Sequence, residues 1–213
     1  MDPLKIFVES SAKLTPSAVE YEVGSEVEIF IYNYLRAVKD YDSIVLISFM
    51  DAHRMFFEYL NRVIGDKLED LEVVTVLSKK GNVESAPLIA GRLGNIFKSK
   101  SGKILALILG LDFYAIVFSE KSFLDLYPRI ANLTRYNENL NLVTVFNGAI
   151  FSQTVSQMIY TFSLNIVKLG IEKFNNELRR YITIIRSAFP EYNLKKWYYE
   201  VVLDKIIWSE EQL

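Results

Sequence analysis

Apolar positions along this chain recur first in one rhythm and then in another. From the amino terminus to about residue 164, short apolar runs alternate with segments whose apolar residues return every three or four positions. The first spacing marks buried strands and the second marks one face of a helix. Leu4 to Val8 reads as a strand, and Ser25 to Val38 as a helix with Val27, Phe30, Ile31, Tyr34, Leu35 and Val38 on one face. Ser25 and Glu28 have the spacing of a capping box. Ser43–Phe49 reads as the second strand. Asp51 is placed to cap the helix that carries Phe56, Tyr59 and Leu60, with Gly65 as its stop. Glu72 to Leu77 is a third strand and Lys79-Lys80-Gly81-Asn82 a turn. A helix begins near Ser85 with Pro87 in its first turn; Gly91 and Gly94 inside it predict a close approach to a neighbouring backbone. Ile104–Leu109 is a fourth strand, which Phe113 to Phe118 either extends or covers. A helix carries Phe123, Leu126, Tyr127, Ile130 and Leu133. Leu142 to Phe146 is the fifth strand, and Ser152 opens a shorter helix with Val155, Met158, Ile159 and Phe162.

Beyond Leu164 the helices stop. Ile166 to Ile171, Leu178 to Arg186 and Trp197 to Ile207 are three strand-like runs separated by short turns, an antiparallel meander. Alternating βα units followed by a meander predict a single α/β domain over residues 1–213, with a mainly parallel sheet flanked by helices and an antiparallel edge.

Composition narrows the function classes. The chain has no cysteine, which removes disulfides, thiol catalysis and Cys-bound zinc. Its formal charge of −2, with both signs mixed, argues against a dedicated duplex-DNA binder. The most apolar stretch, Ile104 to Phe118, is shorter than the ~20 residues of a spanning helix and contains Asp112. No basic segment leads an apolar run at the amino terminus, so no signal peptide, no membrane and a cytoplasmic location are expected. The scarcity of Gln and Cys beside abundant Lys, Glu, Ile and Tyr resembles thermophile usage.

Three segments carry a family resemblance. Ile104 to Leu111 stands where a RecA-like ATPase core has the apolar strand that ends in its metal-binding Asp. Leu142 to Asn147 is similar to the strand that ends in a polar sensor, and Arg180 to Arg186 to the hairpin strand joining an Arg to a basic residue six positions on. Together with the order of elements, these make the chain resemble the RecA-like core over nearly its whole length. It is most similar to the archaeal KaiC-type branch and to a group of Thermococcales proteins of unknown function that lack a phosphate loop. The departures are specific. No Gly-Lys-Ser/Thr follows the first expected strand; the connection from Glu9 to Gly24 has one Gly, at its end, and three carboxylates. The lone Gly-Lys, Gly102-Lys103, precedes a strand and is followed by Ile104. Leu109 stands at the metal-binding position, with Asp112 three residues on. Phosphate recognition needs exposed backbone N–H groups, a Lys and a hydroxyl at that loop.

Ligands of open α/β sheets bind where the strands end. That rule selects Glu9 and Lys13, Asp51 with His53 and Arg54, Lys79 and Lys80, Asp112 with Tyr114, and Asn147. Arg186 joins Lys13, Lys79, Lys80, Asp112 and Asn147 as a candidate for a nucleotide. His53, the lone histidine, could act as a base, but a residue beside a helix start is more commonly a cap or a surface group. No metal-ligand spacing occurs and no cofactor is expected. Arg180, Lys195 and Lys196, with Arg179, Arg186 and the aromatic residues Tyr181, Tyr192, Trp197, Tyr198 and Tyr199, suggest a single-strand nucleic-acid surface. Strand propensity and edge protection explain the same residues. The leading expectation is a catalytically inactive RecA/KaiC-like module that acts through protein association, as an oligomer or with a partner. An unusual ATPase using Lys13, Lys79 or Arg186, and a single-strand nucleic-acid binder, stand as alternatives.

Overall fold

The computed structural model describes residues 1–65, 68, 71–76 and 85–210. Its elements in chain order are α1 (Pro3–Lys13), β1 (Ser17–Tyr21), α2 (Val27–Ala37), β2 (Ser43–Phe49), α3 (Ala52–Val63), β3 (Glu72–Val76), α4 (Ala86–Lys98) and β4 (Ile104–Leu109). There follow α5 (Leu111–Phe118), α6 (Glu120–Ala131), α7 (Leu133–Tyr136), β5 (Leu140–Asn147), α8 (Gln153–Phe162), β6 (Asn165–Phe174), β7 (Glu177–Arg186), β8 (Lys196–Val202) and β9 (Lys205–Glu210). The described strands form one sheet in the order β3-β2-β4-β5-β1-β6-β7-β8-β9. Pairings from β3 through β6 are parallel, and those from β6 through β9 antiparallel.

Leu4 to Val8 is helix, which corrects the expected first strand. Asp2 caps α1 by accepting the Lys5 N–H at 2.8 Å, and Pro3 occupies the first turn, where its missing N–H costs nothing. The buried residues are Pro3, Ile6, Phe7, Ser10 and Ser11, a helical spacing. Two of the five are serines, so the face is not legible from apolar residues alone. Ser11 bonds the Tyr34 hydroxyl at 2.9 Å, and Ser10 accepts the Ala188 N–H at 2.7 Å. The first strand is instead Ser17–Tyr21, at the centre of the sheet between β5 and β6.

One face of the sheet packs against α1, α2 and α3, with Leu46, Leu105, Leu107, Val143 and Val167 beneath them. The other packs against α4, α5, α6 and α8 over Val45, Ile47, Ala106, Ile108 and Leu142. β4 is covered on both sides and is accordingly apolar at every position.

Two further expectations are corrected, and one that the sequence left open is decided. Phe113 to Phe118 lies within α5 and does not extend β4. The run from Trp197 to Ile207 is two strands, broken at Leu203, whose φ of 58° turns the chain back. The meander therefore has four strands, β6 through β9. Gly91 and Gly94 approach no neighbouring backbone: a Cβ on Gly91 would meet nothing, and one on Gly94 would touch the Leu133 side chain at 3.4 Å. The predicted turn at Lys79-Lys80-Gly81-Asn82 lies outside the described residues.

Candidate functional site

The parallel strands β1, β4 and β5 end beside one another; the chain leaves β1 for α2 on one face of the sheet, and β4 and β5 for α5 and α8 on the other. After β1 the link to α2 is residues 22–26. Of its two carboxylates, Glu22 faces β6 of the meander and Glu26 lies between Arg180 of β7 and Tyr59 of α3. Glu22 accepts the Ile171 N–H at 3.2 Å and its own N–H bonds Leu169 O at 3.0 Å. Glu26 is held by Arg180 at 3.1 Å and by the Tyr59 hydroxyl. Arg180 Nε also donates to Gly24 O at 2.9 Å, and the Tyr199 hydroxyl donates to Ser25 O. Ser25 Oγ is buried without a partner, so the expected capping box does not form; Glu26, in the left-handed region at φ 56°, opens the helix instead. The link thus presents oxygen acceptors to a guanidinium, phenols and a backbone N–H.

After β4 the turn is Gly110, at φ 80°, followed directly by α5. Asp112, in the first turn of α5, points back towards the strand ends and is 4% exposed. Its Oδ1 accepts the Phe113 N–H at 3.1 Å, and the Tyr21 hydroxyl reaches Oδ2 at 3.4 Å. After β5, Asn147 lies opposite Tyr21 in the register and accepts the Ala149 N–H at 3.0 Å.

These ends enclose a cavity of about 120 Å³ lined by Tyr21, Glu28 and Asp112 and walled by apolar residues including Val27, Ile31, Met55, Phe56, Leu109 and Val145. Small-molecule sites usually measure ~300–1,000 Å³. Burial pushes the Asp112 carboxyl above the ordinary aspartate range, although backbone N–H groups of Phe113 and Asn147 oppose the rise. Burial also raises Glu28, and the nearby Glu26 charge adds to it. The Tyr21 phenol is raised by burial and then by the charges of Asp112 and Glu28. Neither Asp112 nor Glu28 has a cationic partner among the described residues.

A carboxyl whose folded pKa exceeds its unfolded value (~3.9 for Asp) withdraws stability as pH rises through the folded value, and its penalty vanishes below the unfolded one. Asp112→Asn keeps an acceptor for the Phe113 N–H and removes the charge. It is expected to raise the melting temperature at neutral pH, about 2–4 °C for each ~1 kcal/mol at this length. The gain should fade as pH drops below about 4. Thermal unfolding at pH 7.5 and pH 3.5 reads it; an equal gain at both would remove the charge explanation.

The other candidates fall elsewhere. Lys13 ends α1 beyond the amino end of β1, with Nζ 4.4 Å from the Phe189 ring centre. Glu9 is on the same helix. Arg186 lies at the amino end of β6, where it bonds Tyr160 O and Ser163 O at 3.3 and 2.8 Å and closes the last turn of α8. Lys79 and Lys80 lie outside the described residues. Asp51, at φ 61°, makes no side-chain cap of α3, contrary to expectation. The capping oxygen is Ser48 Oγ, which accepts the His53 N–H at 3.0 Å and shares a 2.8 Å hydrogen bond with His53 Nδ1. Desolvation lowers the His53 pKa, and Ser48 is fully buried while His53 is partly exposed, so this pair holds a helix end. Tyr114 is buried against Phe49.

On the meander, Arg180 is spent on the link after β1. Lys196 pairs with Glu172 and lies 4.3 Å from the Tyr181 ring centre. Lys195 is exposed beside Tyr192, and Arg179 sits over Phe174. Trp197 and Tyr199 are buried, so they offer no base-stacking platform. Sequence reasoning found Asp112 and Asn147 but missed Tyr21, Glu28 and Gly110. Tyr21 could not be placed without the true β1, whereas a Gly directly after an all-apolar strand was a visible turn signal.

The order and direction of the strands, with helices on both faces and an antiparallel edge, make this a RecA-like fold. Among solved structures it is similar to a KaiC-like protein, PH0186, from Pyrococcus horikoshii OT3, with a TM-score of 0.68 and 12% identity over 91% of this chain and 88% of that one. An uncharacterised P. horikoshii protein, PH0321, solved in complex with an unknown peptide, gives 0.67 and 14% over 92% and 91%. PH0250 from P. horikoshii OT3 gives 0.67 and 16% over 84% and 89%. At these identities the likeness is one of fold. No protein-family model matches the chain, and no curated protein matches it in sequence. No helix among the described residues is long and apolar enough to cross a membrane.

Proposed function

We propose that this chain is a RecA/KaiC-like module without triphosphate chemistry, and that it works by holding a segment of another protein chain at the edge where its parallel strands end. The observation that carries this reading is the link of residues 22–26. Its two carboxylates and two of its carbonyls are tied to Arg180, Tyr59, Tyr199 and Ile171, and no lysine among the described residues lines the cavity. A triphosphate there would meet Glu28 and Asp112 unscreened, and charge repulsion in a poorly hydrated site is severe. The same edge carries exposed apolar side chains: Val23 is 80% exposed, Met55 67% and Phe113 39%. The structural neighbour PH0321 was solved with a peptide, which is in keeping with such a use of the fold.

Calorimetry with ATP and Mg²⁺ tests the reading. No heat of binding at about 1 mM nucleotide, an affinity near −4 kcal/mol, is the expected result. Binding below that concentration, or release of phosphate, would overturn it.

A further inference from the structure

The cavity at the strand ends has a chemistry of its own. Two carboxyls, Glu28 and Asp112, line a space whose remaining walls are almost wholly hydrocarbon and aromatic ring. Charge removed from water is expensive unless it meets the opposite charge. Asp112 is 4% exposed and has backbone and phenol hydrogen bonds, yet no cation answers it among the described residues. Among the described residues the two carboxyls therefore lack a positive counter-charge.

The shape of the cavity selects among cations. A divalent metal prefers about six or more oxygen ligands, and among the described residues the side-chain oxygens here come only from Tyr21, Glu28 and Asp112. No group of three or more metal-ligating side chains occurs among the described residues. A guanidinium presents five donors in a rigid plane and would leave several unmet against hydrocarbon. A primary ammonium on a flexible four-carbon stem needs only a few acceptors and packs its stem on apolar walls. The volume, about 120 Å³, equals roughly four waters, the scale of such a group. Phe56, Phe113 and Tyr21 supply ring faces and edges beside it. Met55 and Phe113, two of the lining residues, are exposed to solvent.

We propose that this cavity receives the side chain of a lysine presented by a protein partner, its ammonium against Glu28 and Asp112 and its stem against Val27, Ile31 and Leu109. The proposal rests on the protein-association reading given above and names the chemistry of the partner. Apolar residues flanking that lysine would lie on Met55 and Phe113.

The test uses the whole chain and three capped tripeptides, acetyl-Val-X-Val-amide, in which X is lysine, Nε-acetyl-lysine or norleucine. The Met55 methyl resonance, which reports from the cavity wall, is followed by NMR during titration. The lysine peptide is expected to shift it with a millimolar dissociation constant, and each of the other two to bind about tenfold more weakly or worse. Glu28→Gln and Asp112→Asn are each expected to weaken the lysine peptide by at least about tenfold while the melting temperature holds or rises. Equal binding of the three peptides, or no Met55 shift at about 10 mM lysine peptide, would sink the proposal. Free n-butylammonium binding as tightly as the lysine peptide would also overturn it, because the ligand would then be a free amine and not a protein side chain. Failure of the peptide series leaves the calorimetric result with ATP untouched, so the two readings fall separately.

Discussion

Gly110→Ala is expected to lower the melting temperature by about 6–12 °C. The residue sits at φ 80°, where a side chain costs ~1 kcal/mol or more. A Cβ there would also lie 2.5 Å from Phe49 O and 2.6 Å from Ala52 Cβ. Neither neighbour can retreat: Phe49 ends β2 and Ala52 begins α3, so both belong to regular elements. Overpacking of this kind costs ~1–3 kcal/mol. A total near 3 kcal/mol corresponds to the stated shift at this chain length. The substitution also moves the start of α5 and with it Asp112, so the cavity should change shape together with the loss of stability. Circular dichroism melting reads the first effect. An unaltered melting temperature would mean that the turn after β4 is built differently.

Phe7→Ala is expected to cost about 3–5 kcal/mol, the range for emptying a buried aromatic site. Phe7 is fully buried, with ring centres 5.8 Å from Phe30 and 5.2 Å from Tyr34. It joins α1 to α2, which carries the first turn of the cavity wall. The neighbouring Val8→Ala should cost less than about 1.5 kcal/mol, because Val8 lies on the half-buried flank of the helix. In a central strand the two residues would face opposite layers and both would be costly. Denaturant unfolding of the pair therefore separates helix from strand at residues 4–8, and two large losses would contradict α1.

Much of the architecture was legible in the sequence because β2 and β4 are buried on both faces. Ser43–Phe49 and Ile104–Leu109 read as apolar runs with the bounds the structure gives them. The start of the chain misled for a physical reason. In α1 the positions that complete the helical face are Ser10 and Ser11, polar side chains whose burial depends on Tyr34 and Ala188, far away in sequence. The alternation of Leu4, Ile6 and Val8 was then the visible local pattern, and Asp2-Pro3 as a helix start was overlooked. The true first strand hid behind Glu20. This charge is buried on the central strand because Lys168 stands 2.9 Å away on β6 and Tyr160 donates to it from α8. No local rule announces such a partner. The site inherits the same difficulty: Asp112 was visible as an acid after an apolar strand, but Tyr21 and Glu28 join it only once β1 is placed.

The position of β1 in the middle of the sheet bears on how the protein is made. Both strands that flank it, β5 and β6, lie more than a hundred residues downstream. A ribosome adding roughly 5–20 residues per second needs on the order of 6–24 s to reach the first of them. Throughout that interval Ser17–Tyr21 leaves the exit tunnel with both edges unpaired, a template for pairing with another nascent chain. Glu20, still lacking its lysine, carries a charge that discourages such pairing, as gatekeeper residues do. The same carboxylate thus guards the strand during translation and anchors it to β6 once the carboxyl-terminal half arrives.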